Sequence, residues 1–214
     1  MAAKIDPLAG PPPDCALCPR LVAFRAENRA EEPTWFNGAV PAFGPTDAKL
    51  LVVGLAPGLQ GANRTGRPFT GDYAGALLYP SLIKFGFAKG VYKATPGDIT
   101  LKDCRITNAV RCVPPQNKPT PEEQRTCRSF LAAEVAALPK VRVMLALGRI
   151  AHDAVCGTFG LKKSATPFGH GALHKVREGL MLADSYHCSR YNVNTGVLTE
   201  AMFHQVIEKI RALL

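Results

Sequence analysis

The stretch LLVVGLAPGLQGANRTGRPFTGD, Leu50–Asp72, decides the fold class. It opens with four apolar residues and continues into a loop rich in glycine, arginine and threonine, which predicts a buried strand that ends in a turn. Similar apolar runs recur along the chain, and we predict four strands: Leu50–Gly54, Cys104–Val110, Val141–Gly148 and Leu180–Tyr186. They are too short for helices and rich in Val, Leu and Ile.

Helical patterns lie between and after these runs. Thr120-Pro121-Glu122-Glu123 is a capping box with proline at the first helical position. The four predicted helices are Ala74–Phe85, Thr120 to about Leu138, Arg149–Cys156 and Thr199–Leu214. Strands that alternate with helices predict an α/β domain whose parallel sheet is covered on both faces. In such a fold, functional groups gather at the carboxyl ends of the strands.

Composition limits the function classes. The 214 residues suit one domain, in which residues 1–14 form a flexible lead-in. A net charge of +9 indicates a polyanionic partner, with nucleic acid the first candidate, and a solvated basic surface is the alternative. No apolar run has membrane-spanning length and the N-terminus lacks a signal-peptide pattern, so we expect a cytoplasmic protein that contacts no membrane.

The glycine-rich loop does not match a phosphate cradle. A P-loop requires a lysine before the helix, which is missing here, and the glycines lack the spacing of a dinucleotide fingerprint. What remains is a long polar loop that ends in Phe69 and Asp72. An aromatic ring and a carboxylate at the mouth of a pocket suit a flat heterocycle.

Seven cysteines, an odd number without an export signal, argue against a disulfide framework. Cys15 and Cys18 form a CxxC pair, and Cys112 and Cys127 a wider one. Four thiolates suit zinc or an iron–sulfur cluster, and the wide second pair fits regular zinc modules poorly. We favour a cluster, with zinc and unligated thiols as the alternatives.

A histidine with a polar loop behind it follows the fourth predicted strand, in the segment His187–Gly196. Its imidazole is suited to donate to a developing anion, and Tyr191 to wedge into a base stack. A weaker alternative is an acyl or nucleotide hydrolase that uses Cys188 or Ser189 as nucleophile beside His187. Asn108, at the end of the second strand, points to the same edge of the sheet.

These segments together resemble the uracil-DNA glycosylase superfamily, and most of all its family 5, or type B, branch. The resemblance covers nearly the whole chain and is carried by GLAP (54–57), NRTGRPFTGD (63–72), TNAVRC (107–112) and His187–Gly196. It implies a three-layer α/β/α sandwich with a four-stranded parallel sheet. It also implies a 4Fe-4S cluster on the two cysteine pairs, Cys15, Cys18, Cys112 and Cys127.

The resemblance further implies an enzyme of base excision repair that hydrolyses the N-glycosidic bond of uracil and of other deaminated or modified bases in DNA, such as hypoxanthine, xanthine and hydroxymethyluracil. Its partner is damaged double-stranded DNA, with single strands as a further substrate, and we expect a monomer. The implied catalytic residues are Asp72, Asn108 and His187. The implied base pocket consists of Gly54, Leu55, Ala56, Pro57, Phe69 and Asn108. The candidate DNA contacts are Arg64, Arg67, Ser189, Arg190, Tyr191 and Asn192.

Two departures from the family pattern stand out. Better-known branches carry an acidic residue or asparagine just after the first glycine of GLAP, where this chain has Leu55 and Ala56. The resemblance to the type B branch implies that Asp72 takes the place of that group, and that a wider, less polar pocket accepts a broad range of bases. Cys188 stands where the family usually has proline. The loss of the usual acid also motivates an alternative function, a lesion-binding module that does not cut.

Overall fold

The computed structural model describes residue 8 and residues 10–214. In chain order its helices and strands are α1 (Pro19–Glu31), β1 (Leu50–Gly54), α2 (Ala62–Thr65), α3 (Tyr73–Lys84), β2 (Ala88–Gly90), β3 (Ile99–Leu101), β4 (Cys104–Asn108), α4 (Pro121–Ala136), β5 (Val143–Leu147), α5 (Arg149–Thr158), β6 (Leu173–Arg177), β7 (Leu180–Ser185), α6 (Arg190–Asn194) and α7 (Glu200–Ala212). A single 3-10 turn, Pro115–Asn117, precedes α4.

The main sheet has five strands in the order β4-β1-β5-β7-β6. The four predicted strands pair in parallel, which confirms that part of the prediction. The four-stranded count was wrong, because β6 joins the edge antiparallel to β7. Its sequence, LHKVR, has no apolar run, and its residues alternate between exposed and half-buried as expected of an edge strand.

Helices cover both faces of the sheet, as in the three-layer sandwich that the resemblance implies. Alternate residues of β1 point to opposite faces, so Leu50 and Val52 pack with one layer and Leu51 and Val53 with the other. The first layer consists of α3 and α7, through residues such as Leu78, Leu82, Phe203 and Ile207. The second consists of α4 and α5, through residues such as Leu131, Val135, Ala151 and Val155.

The predicted helices begin and end within two residues of those observed. Thr120 accepts from the backbone N–H of Glu123, whose carboxylate accepts from the N–H of Thr120, so the capping box is present. The elements that were not predicted are α1, α2, the small β2–β3 hairpin, the edge strand β6 and α6. Helix α1 contributes Leu21 to a third apolar cluster, which contains the four cysteines of the predicted metal centre.

Most of the predicted lead-in lies outside the described residues, at positions 1–7 and 9. The part that is described contacts the body of the domain: the Pro13 carbonyl accepts from the Ala39 N–H, and Asp14 pairs with Arg29. None of the helices within the described ranges is both long and apolar enough to cross a membrane.

Candidate active site

A cavity of about 360 Å³ opens at the carboxyl ends of the parallel strands. Its wall includes the end of β4 through Asn108, the loop after β1, and the segment after β7 through His187. Phe69 and Asp72 from the long polar loop complete it. The catalytic residues predicted from sequence are therefore brought together in one pocket, at the edge that a parallel α/β sheet uses for ligands.

The glycines of the opening loop leave room for these side chains. A Cβ atom at Gly54 would overlap the Asn108 amide oxygen and lie 2.5 Å from the Phe69 ring. A Cβ atom at Gly61 would lie 2.6 Å from Oδ2 of Asp72. Gly54 and Gly61 are thus required by close approach to the pocket residues.

Asp72 is the N-cap of α3. Its Oδ1 accepts from the backbone N–H of Gly75 at 3.2 Å, which fixes the carboxyl group at the helix start. Burial raises the pKa of Asp72 above its usual range, and the backbone N–H groups of Gly75 and Ala74 offset part of that rise. The raised pKa makes the carboxylate a stronger base than a surface aspartate.

Phe69 is held in the left-handed region, at φ 52°, by hydrogen bonds on both sides. The Tyr92 hydroxyl donates to the Phe69 carbonyl at 3.2 Å, and the Tyr79 hydroxyl donates to the Pro68 carbonyl at 2.7 Å. The two tyrosine rings stack at 4.8 Å. This backing presents the Phe69 ring to the cavity, 6.1 Å from the His187 ring and tilted 31° to it.

His187 follows β7 and is half-buried. Burial lowers its pKa to about 4, so the imidazole is neutral at physiological pH and carries one N–H donor. Asn192 donates from Nδ2 to the His187 carbonyl at 2.9 Å, which fixes the backbone of the segment. No hydrogen bond to the ring itself occurs within residues 10–214, and the ring lines the cavity.

Asn108 is the last residue of β4 and pairs with Gly54 across the sheet. It is 3% exposed, yet its amide lines the cavity and makes no hydrogen bond within residues 10–214. Its backbone carbonyl accepts from Nε of Arg111 at 3.0 Å. The side chain is free to offer both a donor and an acceptor to a ligand.

Four of the six predicted DNA contacts lie at the rim of the pocket, at its wall or on the exposed surface. Tyr191 is 74% exposed on α6, and Arg190 extends over the Tyr73 ring at 5.6 Å, so both lie at the rim. Arg64 is exposed on α2. Ser189 lines the cavity, and its Oγ caps α6 by accepting from the Asn192 N–H.

Three residues do not take the positions that the sequence suggested. Arg67 is mostly buried and forms an ion pair with Asp98 at 2.6 Å. Its guanidinium therefore connects the long polar loop to the segment that contains Asp98, and is not available to contact DNA. The amide of Asn192 is engaged with the His187 carbonyl. Cys188 is fully buried, and burial raises the pKa of its thiol to about 12, which contradicts a role as nucleophile.

Sequence reasoning missed Tyr73 and Asn117, which also line the cavity. Tyr73 directly follows Asp72, a residue type that commonly caps a helix, and this signal could have placed Tyr73 at the helix start beside the pocket. Asn117 lies in the 3-10 turn between Cys112 and Cys127, and its φ of 56° is an unusual conformation for which the sequence offers only the general tolerance of asparagine.

The four cysteines of the predicted metal centre surround a small cavity beside the pocket, lined by Cys15, Cys18, Cys112 and Cys127. Buried Arg25 donates to the Cys112 sulfur at 3.7 Å and to the Cys15 carbonyl at 3.0 Å. The Arg111 N–H donates to the Cys127 sulfur at 3.4 Å.

An α/β fold with a mainly parallel sheet, and with an aromatic, an amide, an imidazole and a carboxylate around one pocket, matches a known class. The family model of the uracil DNA glycosylase superfamily matches residues 41–211, and the chain belongs to that family. Within it, the chain is similar to curated proteins of the type 5 branch.

The chain is 50% identical to a type-5 uracil-DNA glycosylase from Thermus thermophilus, over 93% of this chain and 93% of the relative. It is 38% identical to one from Pyrobaculum aerophilum, over 93% of this chain and 88% of the relative. A type-4 uracil-DNA glycosylase from Archaeoglobus fulgidus is 32% identical over a shorter span, 64% of this chain and 62% of the relative.

Proposed function

We propose that the protein is a DNA glycosylase that removes uracil, and further deaminated or modified bases, by hydrolysis of the N-glycosidic bond. The observation that carries the proposal is the single cavity lined by Phe69, Asn108, His187 and Asp72. The names of the relatives support uracil as a substrate. Such an enzyme initiates base excision repair.

Base recognition is assigned to Phe69 and Asn108. An extruded base stacks on the Phe69 ring, which is rigidly backed by the loop. The Asn108 amide, which has no partner of its own within residues 10–214, hydrogen-bonds the edge of the base. Because an amide offers a donor and an acceptor, it suits uracil as well as deaminated purines.

Bond cleavage is assigned to His187 and Asp72. As the C1′–N bond breaks, its electron pair moves to the base and positive charge develops on the sugar. The neutral imidazole of His187 donates a hydrogen bond to the leaving base anion. The Asp72 carboxylate stabilises the sugar cation, orients the water whose oxygen attacks C1′, and takes its proton.

A wide substrate range follows from the pocket wall. Leu55 and Ala56 stand where other branches carry a polar catalytic group, and both line the cavity. An apolar wall does not penalise a second ring, and about 360 Å³ accommodates a purine. We therefore propose hypoxanthine, xanthine and hydroxymethyluracil as further substrates.

Arg64, Arg190 and Tyr191 are assigned to the DNA backbone and to the gap left by the extruded base. Ser189, at the cavity wall beside them, is a further candidate contact. The protein acts as a monomer, on damaged duplex DNA and also on single-stranded DNA. Its place of action is the cytosol.

We propose that Cys15, Cys18, Cys112 and Cys127 hold a 4Fe-4S cluster, which is structural. Buried Arg25 faces the sulfurs and forms no ion pair with a carboxylate among the described residues, so thiolates provide its counter-charge. The wide spacing of Cys112 and Cys127 in the sequence fits regular zinc modules poorly, which favours a cluster over zinc.

The experiment is strand scission by alkali on labelled duplexes that each hold one uracil, hydroxymethyluracil, hypoxanthine or xanthine. We expect cleavage at uracil and at one deaminated purine or more. Asp72→Asn should lower the rate by roughly 10²–10³ with DNA binding retained. Full activity of Asp72→Asn would refute the role of this carboxylate. Tight binding to all four duplexes without scission would refute catalysis and favour the lesion-binding module.

A further inference from the structure

Arg111 forms hydrogen bonds both to a residue of the base pocket and to a residue of the cysteine centre. Its side chain is fully buried, among the largest such side chains in the described protein. Nε donates to the Asn108 carbonyl at 3.0 Å, and the backbone N–H donates to the Cys127 sulfur at 3.4 Å. The next residue in the chain, Cys112, is itself one of the four cysteines.

The far end of the guanidinium is fixed to α4. Nη2 of Arg111 donates to Oε2 of Glu134, a buried carboxylate that also binds Arg105 at 2.7 Å and the Thr107 hydroxyl at 2.9 Å. Two guanidinium groups thus share one carboxylate. One carboxylate therefore neutralises only one of the two buried guanidinium charges.

This arrangement leaves Asn108 dependent on Arg111. In the main sheet, β4 is an edge strand that pairs with β1 on one side. On its other side it is held by the isolated bridge between Phe43 and Ile106, which lies two residues before Asn108. Asn108 is its last residue, and the Arg111 guanidinium is the side-chain donor that anchors its carbonyl. The Asn108 amide, in contrast, has no side-chain neighbour that fixes it by hydrogen bonding within residues 10–214.

We propose that Arg111 is a positioning residue: it anchors Asn108 for base recognition and ties that anchor to the cysteine centre. The inference rests on the proposed function. Displacement of a positioned group by about 1 Å costs up to about 10²-fold in rate. Loss of Arg111 should therefore weaken recognition of the base, while contacts to the DNA backbone are kept.

The test uses Arg111→Met, with Arg105→Met as the matched control. Each variant removes one of the two guanidinium partners of Glu134 and leaves the other as a balanced pair. Arg105 donates to the carbonyls of Gly44 and Leu8, and none of its hydrogen bonds in the described part of the chain goes to Asn108. Both variants are combined with Asn108→Ala, and single-turnover rates on a uracil duplex are measured together with affinity for uracil and abasic duplexes.

We expect Arg111→Met to lower the rate roughly 10- to 100-fold in the wild-type background and by less than about twofold with Asn108→Ala, because the two residues act as a unit. Affinity for uracil duplex should fall and affinity for abasic duplex should not. Arg105→Met should cause the same small change in both backgrounds. Visible absorption and the unfolding midpoint report on the cysteine centre and the fold.

Equal losses of rate for Arg111→Met in both backgrounds, or equal losses of affinity for uracil and abasic duplexes, would overturn the positioning role. If Arg111→Met is insoluble, Arg111→Lys is used in its place, alone and combined with Asn108→Ala. Lysine keeps the positive charge but lacks the forked, multidentate guanidinium. If the wild-type protein does not cleave uracil, the proposed function fails. The ratio of the two affinities then still decides whether Arg111 positions Asn108.

Discussion

At the scale of single residues, the glycines of Leu50–Asp72 matter because the pocket side chains occupy the space beside them. Such loops usually bind phosphate through backbone N–H groups. Here Gly54 faces the Asn108 amide and the Phe69 ring, and Gly61 faces the Asp72 carboxylate. These glycines thus help to position three functional groups: Phe69 and Asp72 from the same stretch, and Asn108 from β4.

Gly54→Ala tests this arrangement. The added Cβ overlaps Asn108 and Phe69, so we expect kcat/KM on uracil duplex to fall by about 10²-fold or more. Gly169→Ala is the control, because its Cβ meets its nearest neighbour at an ordinary 3.8 Å. Steady-state kinetics of both variants decide the matter, and an active Gly54→Ala enzyme would show that the pocket tolerates the methyl group.

The pH dependence of the reaction separates His187 from Asp72. Since burial lowers the pKa of His187 to about 4, the rate should show no inflection near 6.5, where an ordinary histidine titrates. The acid limb should instead come from Asp72, whose pKa is raised above 3.8, and lie above that value. The His187→Gln variant should keep this acid limb of the pH–rate profile, and the Asp72→Asn variant should lose it. A limb near 6.5 that His187→Gln abolishes would contradict the assignment.

At the scale of elements, the strands were predictable and their surroundings were not. Strands β1, β5 and β7 are buried and largely apolar in sequence, and β4 is buried although its sequence, CRITN, is mixed. Strand β6 lies at the edge and carries His174, Lys175 and Arg177. The site residues at strand ends, Asn108 and His187, followed from the same topology. Arg67 could not be assigned from sequence, because Asp98, its partner, is 31 residues away in another loop.

The short helix α6 exposes Tyr191 at the rim of the pocket. If its ring fills the gap left by an extruded base, Tyr191→Ala should lower kcat/KM on duplex uracil by about tenfold, since unstacking costs a few kcal/mol. Single-stranded uracil, which requires less unstacking, should be cleaved almost as before. Val197→Ala, at another exposed apolar residue beyond the helix, is the control. Equal losses on both substrates would rule out the wedge role.

At the scale of the whole molecule, the cysteine centre connects the N-terminal segment to the core. Cys15 and Cys18 precede α1, Cys112 follows β4, and Cys127 lies on α4. Cys112→Ala should lower the unfolding midpoint and remove the broad visible absorption expected of an iron–sulfur cluster. Cys104→Ala, at a buried cysteine outside the centre, should keep the absorption. A colourless wild-type protein that contains zinc would contradict the cluster.

The net charge of +9 predicts that DNA binding weakens steeply with salt, and the structure distinguishes which arginines contribute. Arg64 and Arg190 are exposed, so replacement of either with Gln should reduce the slope of log K against log salt by about one. Arg67→Gln should leave the slope unchanged and lower the unfolding midpoint, because its guanidinium is paired with Asp98 at 2.6 Å inside the loop. Fluorescence anisotropy on an abasic duplex from about 50 to 200 mM salt measures the slopes. A reduced slope for Arg67→Gln would mean that the loop opens on DNA and that the ion pair with Asp98 is exchanged for phosphate.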